Sequence, residues 1–337
     1  MSCERPSISV VICTHNRCEL LPRAVGSLLN QHRGSGSVEI IVVANACTDD
    51  TARVVEEMQA LVPDGVRLRR IDEEKPGLSQ ARNRGLEEAR SELIAYFDDD
   101  AEAQAGWLDA IELAFLRSPK VAVVGGPVVP LWPTGRAPGW LDGSIKGFFT
   151  ILDYGSEARC LTAAHEWLAG TNIAFRRSRL LNAGGFSTRL GRYAGLLLSN
   201  EEIDATRRIT AFGDEAWYCP AMRVKHHVHH ERITRRWLLR RAFWQGISNA
   251  LLDHPLGSTT PVWPHDREVN RLLLRFLFFD LLQEFFIHDV LRQRSRMPRL
   301  VMKAKSLGVR YATANGSVFE SLSPPSKSPA SGGQASE

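Results

Sequence analysis

Between residues 7 and 97, short apolar runs alternate with longer mixed ones. Ser7-Ile-Ser-Val-Val-Ile12 is rich in β-branched residues and predicts a buried strand, and residues 38–43 (Val-Glu-Ile-Ile-Val-Val) predict a second. Leu20, Leu21, Ala24, Leu28 and Leu29 recur at helical spacing within 19–31. Thr51 to Leu61 predicts a second helix, entered through the Thr48-Asp49-Asp50 turn. Val66 to Ile71 predicts a third strand, Leu78 to Ala89 a third helix and Glu92 to Phe97 a fourth strand. Such alternation implies βαβ units and a mostly parallel central sheet flanked by helices, an α/β fold of Rossmann-like character.

Ligands of such sheets bind beyond the carboxyl ends of the strands. Polar clusters stand there: Thr14-His15-Asn16-Arg17, Asn45 to Thr51, and Asp98-Asp99-Asp100. The third is the most informative. Three adjacent carboxylates without a basic residue between them repel one another, and a divalent cation reverses that balance. Mg²⁺ and Mn²⁺ take oxygen ligands and commonly hold a phosphorylated substrate through one or two carboxylates. The competing reading of the triplet is a solvated acidic turn.

Beyond residue 120 the pattern becomes less regular. Residues 121–140 predict a strand and then a Gly- and Pro-rich stretch, and residues 131–165 hold a candidate flap over a site. Trp140 is the tryptophan most worth testing as a stacking platform for a ligand, although loop anchoring is the commoner use. A dense region runs from Trp167 to His230, followed by a basic helix over 232–252 and an amphipathic helix over 267–294. The Ser-, Pro- and Gly-rich tail from about Gly316 predicts disorder. The expected division is 1–230 for the α/β domain, 231–315 for a helical extension and 316–337 for the tail.

Composition changes this picture little. The net charge of +4 over 337 residues is too mild to imply nucleic acid, and no nucleic-acid motif accompanies it. Six scattered cysteines with no CxxC pair imply reduced thiols in a cytoplasmic setting. No apolar run of about 18 residues predicts a membrane span, and Met1 to Pro6 lacks the apolar core of a secretion signal.

The order of the loops resembles the family 2 glycosyltransferases, which have the GT-A fold and include inverting enzymes. The matching segments are Ser9–Arg17, Asn45–Thr51, Gly77–Gly85, Ile94–Asp100, Gly170–Arg177, Gly184–Phe186, Glu201–Asp204 and Pro220–His226. The resemblance implies a nucleotide diphosphate sugar as donor, most often a UDP-sugar, a hydroxyl acceptor, and Mn²⁺ or Mg²⁺. Asp98 and Asp100 take the outer positions of the family's DxD motif. Asp100 would hold the metal, and Asp98 or Asp99 would contact the nucleoside. Thr14 and Asn16 would line the nucleotide. Arg82 and Asn83 match an element beside the donor, and Gly170 and Asn172 a loop near the transferred sugar. Glu202 matches the catalytic base, with Glu201 as the base if the alignment slips by one residue. His226 matches a histidine that completes the metal shell. The second loop departs from the family pattern, with Ala44 where an aspartate often meets uracil, leaving Asn45 to contact the base.

A nucleotidyltransferase of similar architecture is the alternative enzyme, but its first loop is normally Gly-rich, and Cys13 to Arg17 has no glycine. A sugar-nucleotide-binding or membrane-scaffold protein without catalysis is the non-enzymatic alternative. His227, His229 and His230 read as surface residues. Residues 223–243 hold seven Lys or Arg and one acid, Glu231. That run is either a solvated helix face or a contact for donor phosphates, an anionic acceptor or the inner face of a membrane. Through 231–294, and above all the apolar 272–286 stretch, the chain has a candidate surface for its own domain, a homodimer or peripheral membrane contact.

Overall fold

The computed structural model describes residues 8–31, 38–163, 165–253, 267–275 and 293–314. The first half follows the expected alternation: β1 (Ile8–Thr14), α1 (Leu21–Leu29), β2 (Val38–Asn45), α2 (Thr51–Gln59), β3 (Val66–Glu73), α3 (Leu78–Glu88) and β4 (Leu93–Asp98). After it come β5 (Ala101–Ala103), α4 (Trp107–Leu116), β6 (Val121–Gly125) and β7 (Val128–Leu131). A 3-10 helix (Gly143–Phe149), β8 (Arg159–Cys160), β9 (Asn172–Arg176), α5 (Arg177–Asn182) and α6 (Glu201–Thr210) lead to β10 (Glu215–Tyr218) and β11 (Val224–His227). The chain ends in α7 (Arg235–Asp253), a helical stretch at 267–275 (α8) and α9 (Gln293–Ala314).

Eight strands form the main sheet in the order β3-β2-β1-β4-β9-β6-β10-β8. β1 pairs in parallel with β2 and β4, β2 with β3, and β6 with β10. β9 enters antiparallel between β4 and β6, and β8 antiparallel at the edge. Val10 and Ile12 of β1 pack into one core with Leu21, Val25, Trp107 and Ile111, whereas Val11 packs into another with Ala81, Leu86, Tyr96 and Phe175. Both faces of β1 are therefore covered, which is why its sequence is a continuous apolar run without polar alternation.

A small second sheet, β5-β11-β7, sits directly beyond the acidic triplet. β11 pairs antiparallel with β5, so His226 stands opposite Ala101. The backbone N–H of His227 donates to the carbonyl of Asp100 at 2.8 Å. This hairpin-like seam is what brings a histidine more than a hundred residues away to the triplet.

A third core joins α7 and α9 to earlier segments. Ile145, Phe149, Leu190, Leu198 and Val228 pack with Leu238, Phe243, Trp244, Ile247, Val301 and Ala304. Residues on both sides of position 230 thus share one interior. α7 and α9 cross at Gly246 and Gly308. A Cβ on Gly246 would run into the carbonyl of Lys305, and one on Gly308 into the carbonyl of Phe243. The candidate flap is anchored: Ile145 and Phe149 are buried, and the Phe149 ring meets Trp132, Trp140 and Trp237 at centroid distances of 5.7, 6.1 and 5.7 Å. Within the expected helix over 267–294, residues 276–292 lie outside the described residues, as does the tail from Gly316.

Candidate active site

The ends of β1, β2 and β4 open into one cavity of about 750 Å³. Of the residues singled out by sequence, Thr14, Asn45, Arg82, Asp98, Asp99, Asp100, Gly170, Glu201, Glu202 and His226 line it. Asn16, Asn83 and Asn172 do not. Asn16 takes a positive φ of 51° and accepts from the Thr48 N–H at 2.7 Å, tying the first loop to the second. Asn83 both donates to the Phe186 carbonyl and accepts from the Phe186 N–H, each at 2.8 Å. Asn172 is fully buried, accepting from Trp107 Nε1 at 2.8 Å and donating to the carbonyls of Pro127 and Met222 at 3.1 and 2.7 Å. These two asparagines satisfy groups that would otherwise be buried and unpaired. Trp140 also lies off the cavity, whereas Trp167 and Trp237 line it.

The three aspartates have different surroundings. Thr14 Oγ1 donates to Asp99 at 2.8 Å, and Arg17 reaches its other oxygen at 3.2 Å. Burial, reinforced by the charge of Asp100, pushes the Asp99 carboxyl up to about 6. Asp100 is buried among two arginines and two histidines. His226 Nε2 lies 3.3 Å from Oδ1, and His229, Arg232 and Arg17 lie 3.2, 3.4 and 3.5 Å from Oδ2. Burial alone would raise the Asp100 carboxyl, but the pull of His226, His229 and Arg232 outweighs it and holds Asp100 well below the usual carboxylate range. His229 thus touches Asp100, although its side chain is 28% exposed and does not line the cavity. Asp100, in the turn between β4 and β5, and His226, on β11, offer an oxygen and a nitrogen donor, and His226 Nδ1 is buried without a partner. That donor set fits a divalent cation.

Cys18, Glu19 and Asp49 also bring donor atoms within 4.8 Å of one another. Asp49, however, accepts from the N–H groups of Cys18 and Thr51 and from Thr51 Oγ1, and so serves the entrances of α1 and α2.

Arg82 links the triplet to the candidate bases. From α3 it donates to Glu201 Oε1 at 2.5 Å and approaches Asp98 Oδ1 at 3.6 Å. Its guanidinium lies 5.9 and 5.6 Å from the ring centres of Tyr96 and Phe186, a cation–π arrangement. Gly170 leaves room for it: a Cβ there would come within 2.6 Å of Arg82 Nη2. Glu201 is committed to this bridge. Glu202, next on the first turn of α6, is 8% exposed and has no ion-pair partner among the described residues. Burial, and then the charge of Glu201, pushes its carboxyl up to about 8.

The amide of Asn45 donates to the carbonyls of Glu73 and Lys75 at 3.1 and 2.7 Å and accepts from the Gly77 N–H at 2.8 Å. It pins the loop between β3 and α3, which leaves one acceptor lone pair for any base. Arg17, Arg192, Trp237 and Lys305 line the cavity without having been singled out for it. Arg17 was visible in the first polar loop, but nothing in the sequence marks Arg192 or Lys305.

The family model of glycosyl transferase family 2 matches residues 9–179, just over half of the chain. The chain belongs to this family. It is 30% identical over 252 residues to a glucosyl-dolichyl phosphate glucuronosyltransferase of Haloferax volcanii, covering 73% of this chain and 77% of that relative. It is 34% identical over 106 residues to a Campylobacter jejuni GalNAc(5)-diNAcBac-PP-undecaprenol beta-1,3-glucosyltransferase, covering 32% of this chain and 33% of that one. Among solved structures, the mannosyltransferase PcManGT of Pyrobaculum calidifontis, in complex with GDP-Man and Mn²⁺, superimposes with a TM-score of 0.53 at 19% identity, over 92% of this chain and 76% of that one. GalNAc-T7 with UDP, GalNAc and Mn²⁺ gives 0.52 at 18% identity, over 76% and 53%. The fold is GT-A, and this family 2 chain is a glycosyltransferase, so the nucleotidyltransferase and non-catalytic alternatives fall away. Among the described residues no helix is long and apolar enough to cross a membrane.

Proposed function

We propose that this glycosyltransferase transfers a sugar, with inversion, from a nucleotide diphosphate donor to an acceptor hydroxyl, with Glu202 as the base. The observation that carries the reading is the Asp98–Arg82–Glu201 bridge. It ties the end of β4 to the first turn of α6, so Asp100 and Glu202 address one cavity.

In this reading Asp100 and His226 hold a divalent metal, and the mixed oxygen and nitrogen set suits Mn²⁺ better than Mg²⁺, which prefers oxygen alone. When bound, the metal supplies positive charge against the leaving diphosphate. Arg17 and Arg232 add fixed donors on the same side, where the leaving group gains charge. Thr14 and Arg17 orient Asp99 toward the nucleoside. Glu202 accepts the proton of the attacking hydroxyl. Glu201 is the less suitable base, because neutralising it would leave Arg82 with only the longer contact to Asp98 at 3.6 Å. A direct attack from the face opposite the diphosphate needs no second nucleophile. The support for excluding water is the anchored 143–149 segment, whose Ser144, Gly147 and Phe148 wall the cavity.

The base of the donor is best identified by thermal shift with UDP-, GDP- and dTDP-sugars in the presence of Mn²⁺, since the bound partner raises stability by mass action. The role of Glu202 is tested by Glu202→Gln. Transfer should fall by about 10²–10⁴-fold with donor affinity retained. A variant that transfers at the native rate removes Glu202 from the mechanism.

A further inference from the structure

On the α7 side of Glu202 the cavity is lined by three cations, none of them in ion-pair contact with a carboxylate among the described residues. Arg241 is 7% exposed. Its Nη2 donates to Ser199 Oγ at 3.2 Å and Gln245 Oε1 at 2.6 Å, but Nε and Nη1 are buried without partners. Arg192 spends Nη1 on the Leu198 carbonyl at 3.0 Å. Lys305, from α9, reaches Asn249 Oδ1 at 3.1 Å once that amide is turned to its better orientation. Among the described residues none of the three lies in ion-pair contact with an acid.

The electrostatics agree with the geometry. Burial and the neighbouring Arg192 hold Arg241 well below its ordinary range. Burial and Arg232 bring Arg192 down to about 10. Burial and Arg241 lower Lys305. The acids that act on the cluster are shared or weakened: Glu201 belongs to Arg82, Glu202 is raised to about 8, and Asp253, which acts on Lys305, is paired with Arg207 at 3.3 Å. Burying charges without partners is costly, and it persists where an anion balances them in use.

That anion need not be the donor diphosphate. The charges weighing most on Arg241 are those of Arg192, Glu202, Glu201 and Arg232, and those on Lys305 are Arg241 and Asp253; only Arg192 also feels a member of the triplet, Asp98, and less than it feels Glu201 and Glu202. The cluster therefore lies toward the candidate base, where the acceptor hydroxyl must approach. Apolar groups stand beside it: Phe148, Leu196, Leu197, Trp237 and Leu252 line the same cavity.

We infer that Arg192, Arg241 and Lys305 form an acceptor subsite for a phosphate group, with an apolar stem beside it, so that the acceptor of this enzyme is phosphorylated. The inference rests on the reading of Glu202 as the base at the acceptor side. Two guanidinium groups and an ammonium match the several oxygens of a phosphate. A phosphorylated lipid and a soluble sugar phosphate share this chemistry.

The test is calorimetric titration of the full chain with farnesyl phosphate, farnesol and glucose 1-phosphate, with and without UDP and Mn²⁺. Farnesyl phosphate should bind in both conditions, and Lys305→Gln and Arg241→Gln should each weaken it by about tenfold or more, the usual worth of a charged hydrogen bond. UDP affinity should stay unchanged in these variants. Tight glucose 1-phosphate binding would assign the anion to a soluble phosphate, and preference for farnesyl phosphate to a lipid. Equal affinity for farnesol and farnesyl phosphate overturns the subsite, as does native affinity in Lys305→Gln. If Arg241→Gln fails to fold, the half-buried Lys305 carries the test alone. Failure of the native chain to bind any nucleotide would instead sink the donor reading and leave the titrations without nucleotide to judge the phosphate.

Discussion

Arg82 Nη1 donates to Glu201 Oε1 at 2.5 Å, and both side chains are almost wholly buried. The second carboxylate oxygen of Glu201 has no hydrogen-bond partner, so among the described residues Arg82 is the one counter-charge in contact with it. Removing one member of such a pair leaves the other buried and uncompensated, at a cost of about 3–5 kcal/mol. Arg82→Met should therefore lower unfolding stability by that order in urea titrations. The double variant Arg82→Met, Glu201→Leu should recover much of it. A single variant as stable as the native chain would show that the bridge is not a structural joint.

Gly170 gives a second test of the same joint. A methyl at 170 would come within 2.6 Å of Arg82 Nη2 and 3.0 Å of Nη1. The arginine can yield only by loosening its hold on Asp98 or Glu201. Gly170→Ala should lose transfer activity while keeping most of its thermal stability, because one displaced side chain costs less than a lost charge. Native kcat/KM in Gly170→Ala would mean that the position of Arg82 does not matter to the site.

The first half of the fold was legible because β1, β2 and β4 are covered on both faces and read as mostly apolar runs, interrupted inside only by Ser9 and Glu39, which hydrogen-bond to each other. The triplet stood out because carboxylates at a strand end are chemically conspicuous, and Glu202 through the resemblance of Glu201–Asp204 to a family segment; all four line the same cavity. β9 was not. Its antiparallel insertion between β4 and β6 is a pairing between distant segments, and no local pattern encodes it. Asn83 and Asn172 stand at motif positions, yet their polar atoms go to backbone groups and, for Asn172, to the Trp107 indole, which only packing reveals. Arg192, Arg241 and Lys305 come from three segments and meet because α7 and α9 cross at two glycines. His229 looked like one of several solvated histidines until β11 was seen to pair with β5 beside Asp100.

Asp100 gathers Arg17, His226, His229 and Arg232 around one buried carboxylate. In Asp100→Ala these four groups lose their shared counter-charge, and the metal loses an oxygen donor. Mn²⁺-dependent nucleotide binding should disappear. The exposed cations should retain a weak, metal-independent and salt-sensitive affinity for nucleotide anions. Equilibrium dialysis with and without Mn²⁺ separates the two. Metal-dependent binding that survives the substitution would sink the assignment of Asp100.

Glu202 makes the pH dependence specific. Its folded carboxyl is raised to about 8 from an ordinary 4.5, first by burial and then by Glu201. A base must be ionised, so kcat/KM of the native enzyme should climb with pH up to about 8 and then level. The same shift has an opposite sign for stability. The folded state binds the proton more tightly than the unfolded chain, so this contribution is fully present below 4.5 and is lost as pH rises through about 8. Glu202→Gln carries no such proton. Its thermal midpoint relative to the native chain should therefore rise between pH 5 and pH 8 and change little above that. Differential scanning over this range reads the sign directly. A constant difference between the two proteins would mean that Glu202 is not held protonated by its surroundings, and the activity profile would then lose its stated cause.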